Sequence, residues 1–560
     1  MEKPNDEGRS TDTAVAARRP SAVDTDMSRA SESEKQLEGT AAETDEHDYI
    51  TGVKLAVVIA SITLVCFLMM LDMSIVVTAI PRITSDFHSL QDVGWYGSTY
   101  LLSSCALQPL AGKIYTNFGT KISFLSFLGL FEFGSTLCGA AQSSNMLIIG
   151  RFVAGLGSSG LVNGALTIIA ASAPMPKRPA LMGIMMAFAQ LGIIGGPLIG
   201  GVLTQYASWR WCFYINLPIG AVSAIFLLLI KIPDRMSKAK RKEATWKQVL
   251  GKLDLGGFVL FAPFATMFLM ALQWGGSEYP WKSATIIGLF CGAGGMLAIF
   301  AAWESYVGDE AMIPYSVVRK KVVWSSCLVI GFFFGSVLVH TYYLPIYFQA
   351  VRGTSPTMSG VDVLPGILSQ MLLAVVSGVL VGKLGYYLPW TVTSAILIAI
   401  ASGLLSTLTP HTSTSKWIGY QLLAGFGRGC GMQMPIVAVQ NILPPEQIPI
   451  GMSLIVFCQT FGGSLFLAFA QTIFNSGLIH GLRKHAPDVN PEVVITAGAT
   501  AFRKVVAPEE IPGILEAYNL AINHNFYLAA GAGCGILLFA WGMGWQSIKK
   551  KKHNDAPTEV

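Results

Sequence analysis

The sequence predicts an all-α polytopic membrane protein with fourteen transmembrane helices: two pseudo-symmetric six-helix bundles plus two inserted helices. Three observations carry that prediction. The chain of 560 residues is 52% hydrophobic and only 13% charged, where a soluble domain carries roughly a quarter charged residues. Apolar runs of spanning length recur along most of it, and a helix needs about 20 residues to cross a hydrocarbon layer about 30 Å thick. The first six runs are echoed by the last six.

The runs lie near 55–80, 95–115, 122–141, 146–172, 180–205, 211–231, 254–274, 284–303, 323–349, 361–382, 389–408, 417–443, 450–475 and 526–546. Ahead of them, residues 1–50 are rich in Ser, Thr, Asp, Glu and Ala and poor in large apolar side chains. Such a stretch cannot bury enough surface to offset the entropy of ordering, so a disordered cytoplasmic tail is expected. It has no apolar core followed by a cleavage site and is no signal peptide. The expected division is 51–231 for the first bundle, 232–252 for a basic cytoplasmic loop and 253–305 for the inserted helices. The second bundle takes 306–548, with 476–525 an extracellular loop, and 549–560 form a basic cytoplasmic tail. That loop holds no Asn-x-Ser/Thr acceptor, so no glycosylation is expected there.

Orientation follows from the short loops, because Lys and Arg collect on the cytoplasmic side. One set of loops holds Lys113 and Lys121, Lys177 and Arg178, the cluster from Lys231 to Lys242, and Arg319 to Lys321. The other set offers little beyond Arg82, Arg210, Lys282, Arg352 and Lys416. Both termini are therefore expected to be cytoplasmic. The net charge of +5 sits in these loops and is no nucleic-acid footprint. The nine cysteines lie in apolar segments without CxxC spacing and read as small core hydrophobes, neither disulfides nor metal ligands.

Self-comparison shows the repeat. Gly112 to Gly119, after the second run, is matched by Gly378 to Gly385 after the tenth. Arg151-Phe-Val-Ala-Gly-Leu-Gly157 is matched by Gln421-Leu-Leu-Ala-Gly-Phe-Gly427, and Phe188-Ala-Gln190 by Phe457-Cys-Gln459. The offset stays near 266–270 residues with the same chain direction, as in transporters whose halves are related about the membrane normal. Carried back to the first run, it sets His340 opposite Asp72. The repeat would then place a titratable group in each bundle, His340 being either a titrating partner of Asp72 or a neutral packing residue.

A carboxylate inside hydrocarbon costs about 2.5–3.5 kcal/mol on insertion scales, so Asp72 is expected to face a cavity or a partner. Arg151 has Gln421 as its counterpart, so the shared fold does not demand its charge. Other intramembrane polar residues are Glu132, Gln190, Arg428, Gln433, Gln440 and Gln459. The glutamines suit either inter-helix hydrogen bonds or a substrate cavity. Tyr343 and Tyr347 suit either that cavity or an interfacial belt. No Walker A sequence, nucleophile elbow or metal-ligand spacing is present, so neither catalysis nor ATP hydrolysis is expected.

With these residues in view, the chain resembles the major facilitator superfamily, specifically its fourteen-helix drug:proton antiporter branch and the fungal multidrug and mycotoxin efflux pumps within it. The superfamily loop motif G-x-x-x-D-x-x-G-x-[RK] appears as Gly112, Gly119 and Lys121, with Thr116 where Asp usually stands. The antiporter motif G-x-x-x-G-P-x-x-G-G is intact as Gly192, Gly196, Pro197, Gly200 and Gly201, and Leu71-Asp72-Met-Ser74 resembles the branch's L-D-x-T. The resemblance implies proton-coupled efflux of amphipathic small molecules by alternating access, with Asp72 and Arg151 in proton coupling and no cofactor beyond the proton gradient. It implies a multi-pass monomer in the plasma or vacuolar membrane, with substrate, protons and lipid as partners and no nucleic acid. A siderophore or other specific-solute carrier, and a non-transporting receptor on the same scaffold, are the alternatives.

Overall fold

The computed structural model describes residues 49–89, 92–233, 251–276 and 278–549. The tail 1–48, most of the basic loop (234–250) and the last residues from 550 lie outside the described residues, and with them the expected disordered tail and most of both basic segments. From Ile50 the chain forms one compact unit.

Fourteen helices occupy the fourteen expected runs. The first bundle holds α1 (Gly52–Phe87), α2 (Val93–Phe118), α3 (Thr120–Gly139), α4 (Ser144–Ser172), α5 (Arg178–Tyr206) and α6 (Asn216–Leu229). The inserted pair is α7 (Leu255–Trp274) and α8 (Ala284–Val307). The second bundle holds α9 (Lys321–Ile346), α10 (Leu364–Leu384), α11 (Leu388–Leu405), α12 (Thr414–Gly431, continued by Met434–Ile442), α13 (Ile448–His485) and α14 (Ile511–Ala540). Thirteen of the membrane-length segments are apolar enough to cross a membrane. The exception is α2, whose Gln108, Lys113 and hydroxyl side chains lower its hydropathy. They are buried because α2 is packed among α4, α7 and α13.

The halves repeat their packing as well as their sequence. The pairs α1–α5, α1–α6, α2–α4 and α3–α4 recur as α9–α13, α9–α14, α10–α12 and α11–α12. The α7–α8 hairpin leans on the first bundle's α2 and the second bundle's α13 through α7. There Phe264 and Phe268 meet Phe461, and Phe261 meets Phe457.

One expectation is corrected. The stretch 476–525 is mostly helical: α13 runs on to His485, a 15-residue helix covers Pro491–Val505, and α14 begins at Ile511. Only one stripe of this stretch is apolar, so it reads as polar in sequence. That stripe (Leu478, Leu482, Ile514, Tyr518 and Ile522) is buried between α13 and α14, and His485 bonds Glu516 at 3.0 Å beyond it.

The bundles meet near the end where α1 begins and α14 ends. Methyl groups at Gly183 of α5 or Gly382 of α10 would collide with the Ala374 and Pro176 carbonyls, and one at Gly378 would lie 2.5 Å from the Pro179 carbonyl. Gln440 of the second bundle donates to the Leu166 carbonyl of α4 at 3.2 Å. Further from that end, Leu198 and Val202 of α5 and Leu368 and Leu372 of α10 are exposed. Within the first bundle the antiporter-motif glycines join α5 to α1: Gly196 lies on Ser74, Gly200 on Thr78 and Ile75, and the Ser74 hydroxyl donates to the Gly192 carbonyl at 3.0 Å. Gly201 faces open space. Gly196→Ala should therefore destabilise the protein by about 1–3 kcal/mol through overpacking. Gly201→Ala should be neutral or stabilising by up to about 1 kcal/mol, because alanine is the better helix former. Thermal unfolding of the two purified variants checks the contrast.

Candidate functional site

Asp72 sits a little past the middle of α1 and is almost wholly buried. Its Oδ2 accepts from Arg151 Nη1 at 2.6 Å, and its Oδ1 accepts from Asn216 Nδ2 of α6 at 3.1 Å. The same amide lies 3.1 Å from Ser135 Oγ of α3. Arg151 Nε donates to the Tyr96 carbonyl of α2 at 2.9 Å, and the guanidinium lies 4.4 Å over the Tyr100 ring. Five helices thus converge on one ion pair. They can do so because α4 is rich in small residues: Gly155 lies against Ser103 and the Tyr100 carbonyl, and Gly157 against the backbone of Phe131. A buried pair is tolerated only when its remaining hydrogen-bonding capacity is also met, and here most of it is. Protonating Asp72 would remove the charge that holds Arg151 across the α1–α4 seam.

The same backbone contacts recur in the second bundle. Gln421 Nε2 donates to the Asp362 carbonyl at 2.9 Å, as Arg151 does to that of Tyr96. Ser369 Oγ bonds the Gly366 carbonyl as Ser103 Oγ bonds that of Tyr100, and Gly425 packs there as Gly155 does. His340 takes the place opposite Asp72. Its Nε2 lies 3.1 Å from Ser402 Oγ, the counterpart of Ser135, and its ring stacks on Phe526 at 5.8 Å. It is buried, with Nδ1 unpartnered, and no carboxylate bonds to it among the described residues.

The remaining candidates divide. Gln190 and Gln459, at matched positions on α5 and α13, are half-buried and make no side-chain hydrogen bond among the described residues. Gln433 is committed to the Ala374 carbonyl at 2.9 Å and Gln440 to the inter-bundle contact. Tyr343 packs against Phe474, and buried Tyr347 donates to the Thr409 carbonyl at 2.8 Å; both belong to the second bundle's core, because α9 turns that face towards α11, α13 and α14. Gly119 takes a φ of 84° in the turn between α2 and α3, and Gly112 lies against Ser453 and Ile450 of α13. Lys121 caps α6 through the Leu228 and Ile230 carbonyls at 2.7 and 2.9 Å. Thr116 bonds its own helix at the Gly112 carbonyl. Pro197 lies inside α5 without breaking it. Glu132 packs against Gly220 of α6 with both carboxyl oxygens unpartnered; it lies within electrostatic reach of Asp72 without sharing the ion pair's hydrogen bonds. Sequence reasoning missed Asn216, Ser135 and Tyr100; a lone Asn ahead of Pro in an apolar run was the one available signal. Among the described residues no group of His, Cys, Asp and Glu could hold a metal ion.

Two bundles related by a repeat, with a buried ion pair midway through one of them, define a membrane transporter fold. The chain belongs to the Major Facilitator Superfamily, whose family model matches residues 62–467. It is 59% identical to the efflux pump mlcE of Penicillium citrinum over 95% of this chain and 98% of that one. It is 57% identical to the efflux pump mokI of Monascus pilosus (92% and 96% covered) and 42% identical to the efflux pump aflT of Aspergillus parasiticus (91% and 99%). Among solved structures, the proton:xylose symporter XylE shares the fold with a TM-score of 0.55 at 17% identity, covering 87% of this chain and 94% of that one. The E. coli fucose:proton symporter FucP does so with 0.55 at 13% identity, covering 87% and 98%. These relatives are transporters, and this chain is a multi-pass membrane protein of the same family.

Replacing Asp72 with Asn leaves Arg151 buried without a counter-charge, a loss of about 3–5 kcal/mol. The double change Asp72→Asn with Arg151→Gln removes both charges and should recover most of that stability. Unfolding midpoints of the single and double variants test it, and a double variant no more stable than the single would contradict the pairing.

Proposed function

We propose that this chain is a proton-coupled secondary active efflux transporter that exports amphipathic small molecules, such as a fungal secondary metabolite, toxin or drug, by alternating access. The observation that carries the reading is the Asp72–Arg151 pair: a carboxylate sealed within the first bundle, whose charge holds a guanidinium from a second helix. Relatives named efflux pumps, aligned over nearly their whole length, support the direction of transport. The intact antiporter motif at the α1–α5 seam supports it too.

In this reading the end where α1 begins and α14 ends is cytoplasmic, since Lys121, Lys177, Arg178 and Arg319 to Lys321 gather there. The close contacts between α5 and α10 then seal the cytoplasmic side, and the bundles part towards the outside. A proton entering from outside would neutralise Asp72, release Arg151 and loosen the α1–α4 seam. Rocking would then expose the site inward, where the proton leaves and substrate enters. The proton gradient is the energy source, no cofactor is required, the monomer is the working unit and the plasma membrane is its location.

The test is transport in vesicles holding the purified chain. A fluorescent amphipathic dye should accumulate against its gradient when a pH gradient is imposed, and should only equilibrate once a protonophore collapses it. Arg151→Gln should abolish uphill accumulation while leaving downhill equilibration within about twofold. Unchanged concentrative transport by that variant would remove the ion pair from the coupling mechanism.

A further inference from the structure

Arg428 of α12 is 8% exposed, and its side chain makes no hydrogen bond or ion pair among the described residues; Nε is sealed without a partner. Among the described residues no counter-charge pairs with it: from 363 to 445 and again from 447 to 487 there is no Asp or Glu, and α9 has none either. Asp362 ends the short helix before α10, where its carbonyl is taken by Gln421. The titratable group within electrostatic reach is His340 of α9, which supplies no negative charge. An uncompensated buried charge is strongly unfavourable, and an ionisable group inside a membrane protein calls for a partner.

The repeat shows where that partner would go. In the first bundle the Tyr100 ring fills the space beside Arg151, and the counterpart of Tyr100 is Gly366. A Cβ at Gly366 would lie 3.0 Å from Arg428 Nη2, so the head of Arg428 lies where the Tyr100 side chain begins in the other half. Five residues further along α12, Gln433 bonds the Ala374 carbonyl, the one that Gly183 of α5 approaches. Arg428 therefore lies about 7.5 Å from that contact, at about 1.5 Å per residue, on the side of the exposed Leu368 and Leu372.

We propose that Arg428 anchors an anionic group of the transported molecule, a carboxylate or comparable oxyanion, so that the cargo class is amphipathic organic anions. The proposal rests on the transport reading above. The guanidinium presents five N–H donors in a fork that matches a carboxylate in bidentate fashion. The apolar remainder of the cargo would lie against the parted faces of α5 and α10, beside the free amides of Gln190 and Gln459.

The experiment compares 1-pyrenebutyrate with its neutral counterpart 1-pyrenebutanol, binding to the purified full chain without any gradient. The native chain should bind the carboxylate at least about tenfold more tightly than the alcohol, the equivalent of about 1.4 kcal/mol. Arg428→Gln should lose that preference and keep its affinity for the alcohol, and Arg428→Lys should keep part of it. The Gln variant should unfold at or above the native temperature, because it sheds an unpaired charge. Pyrenebutyrate should raise the unfolding temperature of the native chain but not of that variant. Equal affinity of the native chain for both probes, a preference that survives in the Gln variant, or a Gln variant that unfolds well below the native chain would each overturn the proposal. Intact preference with no uphill movement of either probe in vesicles would overturn the transport reading and leave the anion site standing.

Discussion

A charge buried away from water must find its partner within the chain or have one brought to it, and this constraint shapes both halves of the protein. In the first bundle Asp72 and Arg151 satisfy it internally, with Asn216, the Tyr96 carbonyl and the Tyr100 ring taking up the remaining capacity. The second bundle repeats the backbone contacts but replaces the arginine with Gln421 and the carboxylate with His340, and then adds Arg428. The scaffold is symmetric, and the charges on it are not. Duplication supplied the same cradle twice, and the two copies hold different chemistry.

The pair depends in turn on how closely helices approach. Arg151 reaches Asp72 across the bundle because α4 lies against α2 and α3 with glycine at the contact points, and α1 is held to α5 by the glycines of the antiporter motif. Without water or a hydrophobic drive between helices in lipid, close van der Waals packing of small residues supplies the association. The 58 glycines are therefore part of the site: they set the distances at which a guanidinium and a carboxylate from separate helices can meet.

The sequence made the scaffold legible because lipid imposes a length and a polarity on every span, and because the repeat survives as matched residues. Asp72 and Arg151 stood out as charges in apolar runs, but their contact joins α1 to α4, which no local pattern reports. Asn216 was missed because a single amide in an apolar run reads as noise until its partner is seen. The α13–α14 extension was misread as a loop for a related reason: one buried stripe leaves most side chains polar. Tyr343 and Tyr347 suited a cavity by composition, and only the rotation of α9 shows that they face the bundle's core.

Charge also bears on the energetics of export. A transporter that exchanges one proton inward for one neutral molecule outward moves a single charge, which a potential of 100 mV drives with about 2.3 kcal/mol. With a monovalent anion as cargo, the outward movement of negative charge adds to the inward movement of the proton, and the electrical drive doubles to about 4.6 kcal/mol. That difference corresponds to roughly fifty-fold in the attainable concentration ratio, before any contribution from the pH difference itself. An unpaired guanidinium on one bundle and an ion pair on the other would suit such an exchange. On the proposed reading the first would hold the negative cargo, and the second would carry the positive charge back. An internal carboxylate beside Arg428 would stabilise the empty protein, but it would have to be displaced on every cycle, and the selectivity that makes the exchange doubly electrogenic would be lost.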